Sequence, residues 1–200
     1  MMLNSYATYD VLYLGKRLQT YQDDFAVSEL FLFSYLACLL SLYEGNSTSF
    51  WGYYYIKNDF GIPLSQDVLN ATDHLQKLGE LSEYKAYYRL TDLGNEKLEM
   101  LSMLSQFTKR NRFIDAACDC LLAIPLGYLR ETIKNEPISI SANTNDLKLL
   151  NDESNYAVEL LHDQFSLLNQ AFEKRYEDLF IPAVTWLKYL QLSSHEQYDR

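Results

Sequence analysis

Apolar side chains recur at alternating steps of four and three residues over one stretch of the chain: Leu64, Val68, Ala71, Leu75 and Leu78. This spacing follows the 3.6-residue period of an α-helix and predicts a helix that buries one face. Gly79 follows the last of these residues and offers the left-handed conformation in which helices commonly end. The pattern therefore predicts a helix from residue 64 to residue 78.

A tight β-hairpin is predicted directly after this helix. The runs Glu80–Tyr84 and Tyr87–Thr91 are short and rich in strand-forming residues, and only two residues separate them. Thr91 and Asp92 then offer side-chain oxygens that can cap a further helix. That helix would carry Leu93, Leu98, Leu101 and Leu104. The order is helix, hairpin, helix.

The preceding residues predict two helices and one ambiguous segment. Residues 5–21 favour a first helix, and residues 29–43 form a run that is apolar on nearly every side, which is typical of a central buried helix. The aromatic segment 50–58 suits a strand, but we predict a short helix because a turn containing Pro63 follows it.

The chain changes character after residue 105. The basic run 108–112 is predicted to be a hinge between two parts. Helices are predicted over 113–124 and 126–134, and a loop with a short strand over 138–146.

The C-terminal region carries a heptad-like stripe. One apolar residue recurs every seven positions, with two more set three further on: Val158, Phe165, Phe172, Leu179 and Trp186, with Leu161 and Leu168. This predicts one long amphipathic helix from Asn155 to about Gln191, kinked near Pro182. The spacing leaves open whether the stripe packs within the chain or against another chain, for instance in a homodimer.

The segment Tyr88–Gly94, YRLTDLG, resembles the signature "YRLTxxG" that joins the wing to the following helix in PadR-like and MarR-like proteins. The resemblance covers residues 28–105 and implies a winged helix-turn-helix. We therefore expect a mainly α protein with a winged-helix domain at 1–110, including an N-terminal helical extension. A helical domain at 111–200 would end in the long amphipathic helix.

The charge balance disfavours a DNA reader. The net charge is −10, and residues 22–110 hold twelve acidic and seven basic side chains, a net charge of −5. Proteins that grip phosphates present basic surfaces, so direct DNA binding is predicted to be weak or absent. The candidate nucleic-acid contacts are Gln66, Asn70, Lys77, Lys85, Arg89, Lys109, Arg110 and Arg112.

Aromatic residues offer a different kind of surface. The chain has 17 tyrosines, and tyrosine is favoured at protein interfaces, where one end of the ring is buried and the other stays wet. The alternative is that most of them pack the core. The candidate partner-facing residues are Tyr53, Tyr54, Tyr84, Tyr87, Tyr88, Phe165, Phe172 and Trp186.

The sequence carries no motif for catalysis, a cofactor or a metal. Cys118 and Cys120 are two residues apart and would point to different faces of a helix, and no glycine-rich phosphate loop occurs. An odd number of cysteines in apolar stretches indicates reduced thiols. The longest apolar run, residues 30–42, is too short to span a bilayer. We expect a cytoplasmic, non-enzymatic protein that needs no cofactor and no membrane.

The combination of size, acidity and architecture resembles the small accessory subunits of SMC-type and ABC-type ATPase complexes. Examples are the kleisin-interacting winged-helix subunits and the middle component of three-component, Lamassu-type anti-phage defence systems. The resemblance implies an adaptor that bridges an SMC-like or ABC ATPase and an effector subunit. The alternative is a winged-helix transcriptional regulator that dimerises through its C-terminal helix.

Overall fold

A computed structural model describes residues 3–58, 61–141, 148–149, 156–172 and 178–198. The structure is mainly helical, as predicted. The helices are α1 (Ser5–Leu18), α2 (Val27–Tyr43), α3 (Gln66–Lys77), α4 (Asp92–Leu101), α5 (Ser105–Thr108), α6 (Asn111–Asp119), α7 (Leu126–Ile133), α8 (Pro137–Ser141), α9 (Tyr156–Phe172) and α10 (Phe180–Tyr198). Among these helices, none combines the length and the hydropathy needed to cross a membrane.

The described strands form two small antiparallel sheets. The strands are β1 (Phe25–Ala26), β2 (Tyr55–Lys57), β3 (Pro63–Leu64), β4 (Leu81–Tyr84), β5 (Tyr87–Leu90) and β6 (Lys148–Leu149). One sheet has the order β1-β5-β4, so β1, which precedes α2, adds a third strand beside the hairpin of β4 and β5. The other has the order β3-β2-β6.

Helix α2 is the centre of the fold. Its residues 29–42 are all buried, and α1, α3, α6 and α9 pack around it. A helix that is apolar on all sides has no face to give to solvent, so its neighbours must cover it completely. The predicted central buried helix is confirmed.

A buried ion pair fixes the middle of the chain. Arg110 donates through Nε to Asp10 Oδ1 at 2.8 Å and through Nη2 to Asp10 Oδ2 at 2.5 Å. Its Nη1 donates to the Trp51 carbonyl oxygen at 2.8 Å, and its guanidinium lies 3.7 Å from the centre of a Trp51 ring. Burial lowers the pKa of Arg110, but the Asp10 carboxylate raises it by more, so the pKa lies above its ordinary value.

The predicted hinge at residues 108–112 is therefore wrong. The side chain of Arg110 is 1% exposed, and helices α5 and α6 occupy this part of the chain. Because α6 packs on both α1 and α2, the predicted boundary between residues 110 and 111 does not separate two cores. A basic run usually marks a solvated segment, but here one of its members pairs with a residue that lies 100 positions earlier.

The aromatic segment 50–58 also differs from the prediction. Residues 48–51 form one 3₁₀ turn, and strand β2 follows. Trp51, Tyr53 and Tyr55 are buried, whereas Tyr54 and Ile56, which precede and follow Tyr55, are exposed. This alternation has the two-residue period of a strand, so the burial of every second aromatic side chain favours an extended chain here.

The C-terminal region forms two helices instead of one. The centres of the Phe165 ring on α9 and the Trp186 ring on α10 are 5.1 Å apart. On one continuous helix these residues would be about 30 Å apart, so the chain folds back between them. Pro182 lies in the first turn of α10, where its missing N–H costs no hydrogen bond, and does not kink a longer helix. Phe165 and Trp186 of the heptad-like stripe therefore pack against each other within the chain.

A second buried carboxylate holds α8, which occupies the start of the predicted loop 138–146; residues 142–146 lie outside the described chain. Glu136 accepts hydrogen bonds from Tyr35 Oη at 2.9 Å, from the Ile138 N–H at 2.8 Å and from the Ser139 N–H. Burial raises the pKa of Glu136, and these hydrogen bonds lower it by less.

We predict that Arg110→Met lowers the free energy of unfolding by about 3–5 kcal/mol, because it leaves the Asp10 carboxylate buried without its counter-ion. Urea denaturation measures the change. Arg112→Met is the matched control, since Arg112 is exposed and pairs with Glu44 at the surface. The control should cost less than about 1 kcal/mol. Equal costs for the two variants would contradict the role given to Arg110.

We also predict a pH dependence from Glu136. A carboxyl group with a raised folded-state pKa stabilises the fold most below its ordinary pKa of 4.5, where it is neutral in both states. As the pH rises from there, the stability of the wild type relative to Glu136→Gln should fall. The slope should reach up to about 1.4 kcal/mol per pH unit until the folded-state pKa is passed. Urea titrations of both proteins from pH 4 upward, about one unit apart, test this; a constant difference contradicts it.

Candidate interaction surface

Helix α3 presents one face to the core and the other to solvent. Val68, Ala71 and Leu75 are buried, and the helix packs against α1 and α2. Gly79 follows at φ +74°, the left-handed conformation that lets the chain turn directly into β4. The exposed face of α3 and the hairpin tip are therefore carried on the protein's main core.

The hairpin has the shortest connection that two antiparallel strands allow. Its pairing ends at Tyr84 opposite Tyr87, with Lys85 and Ala86 between them at φ +51° and φ +66°. Two central residues with positive φ are typical of a type I′ turn, which normally uses Asn and Gly. Each non-glycine residue in this region costs about 1–2 kcal/mol of strain. The tip is thus held in one shape at an energetic cost.

The base of the hairpin is locked to α4. Thr91 Oγ1 donates to the Gly79 carbonyl oxygen at 2.8 Å and accepts from the Gly94 N–H at 3.2 Å. A Cβ atom on Gly94 would lie 2.2 Å from the Glu80 carbonyl oxygen, so only glycine fits there. The threonine and glycine of the YRLTDLG segment therefore have defined structural tasks: one caps α4, and the other allows it to approach β4.

The hairpin tip carries two exposed aromatic rings. Tyr84 is 71% exposed and Tyr87 53% exposed, and Lys85 Nζ lies 5.0 Å from the centre of the Tyr84 ring. Tyr88 on the next position is half-buried and stacks on Phe25. We call the exposed residues 84–87 the hairpin tip surface. Tyr54 is exposed as well, but lies beside the other sheet.

Other predicted partner-facing residues lie in the core, which corrects their assignment to a surface. Tyr53, Phe165 and Trp186 are buried, and Phe172 is half-buried. The Tyr53 hydroxyl donates to Asp10 Oδ2 at 2.6 Å, and burial raises its pKa well above the ordinary value, with the Asp10 charge adding to the effect. These aromatic residues therefore pack the core, which is the alternative that the sequence left open.

The polar face near the tip is occupied by internal contacts. Arg89 pairs with Asp24 at 2.9 Å, and Gln66 donates to Asn70 Oδ1 at 3.0 Å. Gln76 donates to Glu83 Oε2 at 2.7 Å. Exposed contacts of this kind are weak, but Asp24 and Glu83 place a carboxylate beside the Arg89 and Gln76 groups that a phosphate would need.

The remaining candidate nucleic-acid contacts do not form a basic face. Arg110 is buried, which rules it out as a surface contact, and Arg112 pairs with Glu44. Within the described ranges, Lys77, Lys85 and Lys109 have no ion-pair partner. Three separate lysines offset only a small part of the acidic charge of residues 22–110.

One cluster of charged residues escaped the sequence reasoning. Arg17 on α1 pairs with Asp115 at 3.0 Å and with Asp119 at 2.5 Å on α6, and Tyr21 donates to Asp119. Burial, followed by the bond to Asp119, raises the pKa of Tyr21 to about 12. The four-residue spacing of the two aspartates was the available signal, but their partner lies about a hundred positions away. Across the residues with assigned positions, no three His, Cys, Asp or Glu side chains are placed to share a metal ion.

Comparison of the chain with protein-family models, with curated proteins and with solved structures gives no match.

We predict that Ala86→Gly raises the free energy of unfolding by about 1 kcal/mol, because it removes left-handed strain from the turn. Ala123→Gly is the matched control, since Ala123 is exposed and has φ −117°. There glycine relieves nothing and should lower the stability by about 0.5–1 kcal/mol. Thermal and urea unfolding of both variants measure the two changes, and the same sign for both would contradict a strained turn.

Proposed function

We propose that the protein is a non-catalytic adaptor that binds other proteins through a winged helix-turn-helix module. Helix α3 is followed directly by the hairpin, and β1 from earlier in the chain adds a third strand beside β5. Helix α4 then starts at the Thr91 cap. This order supports the winged-helix interpretation, in which α3 takes the place of the recognition helix and the hairpin that of the wing.

The observation that carries the proposal is the exposed pair of tyrosines on the wing. Tyr84 and Tyr87 face each other across the last strand pair and are more than half exposed. Tyrosine supplies a large contact area with few rotatable bonds and a hydroxyl for a hydrogen bond, which is why it is enriched in interface hot spots. A turn with positive φ at both central residues presents these rings in a fixed arrangement, so little entropy is lost on binding.

Charge supports a protein partner over duplex DNA. A wing that enters the minor groove or follows the backbone normally carries basic residues, whereas here Lys85 is the one tip charge and Glu83 lies beside it. Arg89 on the return strand is paired with Asp24. The module would have to bring a net charge of −5 over residues 22–110 close to the phosphates. We propose that any DNA contact in the assembly belongs to another subunit.

The partners that fit this proposal are those of an accessory subunit: an SMC-like or ABC ATPase and an effector, as in anti-phage defence complexes. The support is the resemblance of size, acidity and winged-helix arrangement. The competing regulator hypothesis needs a C-terminal helix that is free to dimerise. In this chain Phe165 and Trp186 of the heptad-like stripe are buried against each other, which removes the seam that a regulator would use.

The test is affinity purification of the tagged chain from its host after nuclease treatment. We predict stoichiometric protein partners that include an ATPase, and a loss of at least about tenfold with Tyr84→Ser/Tyr87→Ser. Tyr128→Ser is the matched control, because Tyr128 is equally exposed but lies on α7. The control should retain the partners.

A second measurement addresses the regulator. The purified protein alone should bind duplex DNA more weakly than about 1 μM at near-physiological salt. Sub-micromolar binding with a steep salt dependence, or a palindromic footprint in the host genome, would overturn the adaptor proposal in favour of a transcriptional regulator.

A further inference from the structure

Helix α4 has an exposed apolar face that the winged-helix module does not use. Leu98 and Gly94 of this helix are buried, as expected for its core-facing side. On the solvent-facing side of the helix and in the turn that follows, four large apolar side chains are exposed: Leu93, Met100, Met103 and Leu104, of which Met103 is 82% exposed. We call these four residues the α4 face. Exposed single apolar residues are ordinary, but a contiguous group marks an interaction site.

The four side chains lie close together along the chain. Leu93 and Met100 are seven residues apart, two helical turns or about 10 Å, and the turn between them carries Glu96 and Lys97. The Met103 N–H bonds to the Met100 carbonyl oxygen at 3.3 Å, and the Leu104 N–H to the Leu101 carbonyl oxygen at 3.0 Å. These bonds continue the helical course past the end of α4, so the apolar group extends by another turn.

An acidic stripe runs along the edge of this face. Asp92, Glu96 and Glu99 recur at steps of four and three, and all three are exposed. Lys97 is the one basic residue of α4, and its Nζ is 2.8 Å from Glu80 Oε2, so its charge is already matched. The segment that follows, residues 102–106, has no charged residue. The solvent-facing side of this segment therefore combines exposed apolar side chains with three carboxylates that form no ion pair with any described residue.

We propose that the α4 face docks a basic amphipathic helix of a partner protein. The apolar side of that helix would cover Leu93, Met100, Met103 and Leu104, and its lysines or arginines would meet the acidic stripe. Helices bind in this way through residues spaced at i, i+3, i+4 and i+7, and methionines adapt their shape to such a partner. A second copy of this chain would bring two acidic stripes together, and an anionic membrane would be repelled in the same way.

This surface is distinct from the hairpin tip surface, since neither Tyr84 nor Tyr87 belongs to it. The inference therefore holds or fails independently of the adaptor proposal. If both hold, the protein has two docking surfaces that read different chemistry: tyrosine rings at the wing and a charged apolar stripe on α4.

The experiment uses three labelled peptides of about 18 residues, long enough for five helical turns. The first has leucine at i, i+3, i+4 and i+7 and lysine elsewhere. The second replaces every lysine by glutamate, and the third has the composition of the first in scrambled order. Fluorescence anisotropy with the full chain at about 150 mM salt measures binding, so that weak long-range attraction is screened.

The lysine helix should bind about tenfold more tightly than either of the other two peptides. Met100→Ser/Met103→Ser should weaken it by about tenfold, and Glu96→Gln/Glu99→Gln by a similar factor. Leu122→Ser is the matched control, because Leu122 is exposed to the same degree as Met100 but follows α6. This control and Tyr84→Ser/Tyr87→Ser should bind like the wild type.

Equal binding of the scrambled peptide, or no effect of the methionine and glutamate variants, would overturn the proposal. Light scattering after size exclusion supplies a further outcome. A wild-type dimer that Met100→Ser/Met103→Ser converts to monomer would also overturn it, and would assign the α4 face to a second copy of the chain. All variants alter exposed side chains, and circular dichroism melting confirms that they fold.

Discussion

The buried pair of Arg110 and Asp10 is the constraint on which the rest of the structure depends. A charged guanidinium can lie in a core only if its donors and its charge are matched, and here Asp10, the Trp51 carbonyl and the Trp51 ring together do this. Each partner comes from a different part of the chain. The pair therefore fixes α1, the aromatic turn and the start of α6 relative to one another, and removes the freedom that a hinge at this position would need.

The position of the hairpin, residues 81–90, follows from this constraint. Helix α1, which carries Asp10, also packs against α3, α4 and β5, and so supports the helix, the hairpin and the helix that follows. The Arg17 cluster adds a second connection between α1 and α6. The hairpin thus projects from the core, and its own turn stores strain at Lys85 and Ala86. Strain of this kind persists only where the surrounding contacts hold the backbone in place, and it is concentrated at sites of binding.

Local patterns were enough to predict the order helix, hairpin, helix, although α3 begins at Gln66 and Leu64, expected in this helix, lies in β3. Steps of four and three, a glycine stop and a threonine cap act within a few residues, so a single sequence reveals them. What failed depends on partners far along the chain. Nothing near Arg110 indicates Asp10, and the heptad-like stripe has the same appearance whether its two halves continue or fold back, as Phe165 and Trp186 do. The helix predicted for segment 50–58 is wrong because the turn containing Pro63 was given more weight than the strand-like alternation of the aromatic residues.

The distribution of charge gives the surfaces their meaning. The basic side chains of the core and its edge are matched by carboxylates: Arg110 by Asp10, Arg17 by Asp115 and Asp119, and Lys97 by Glu80. Among the described residues, the carboxylates of Asp92, Glu96 and Glu99 have no ion-pair partner and are exposed at the surface, and the full sequence has a net charge of −10. Such a surface repels nucleic acid, anionic lipid and a second copy of itself, but attracts basic protein segments. Long-range attraction brings a partner close, but tight binding also needs apolar contact area. The exposed tyrosines of the hairpin tip and the exposed methionines of the α4 face supply this area, and we therefore place the binding of partners there.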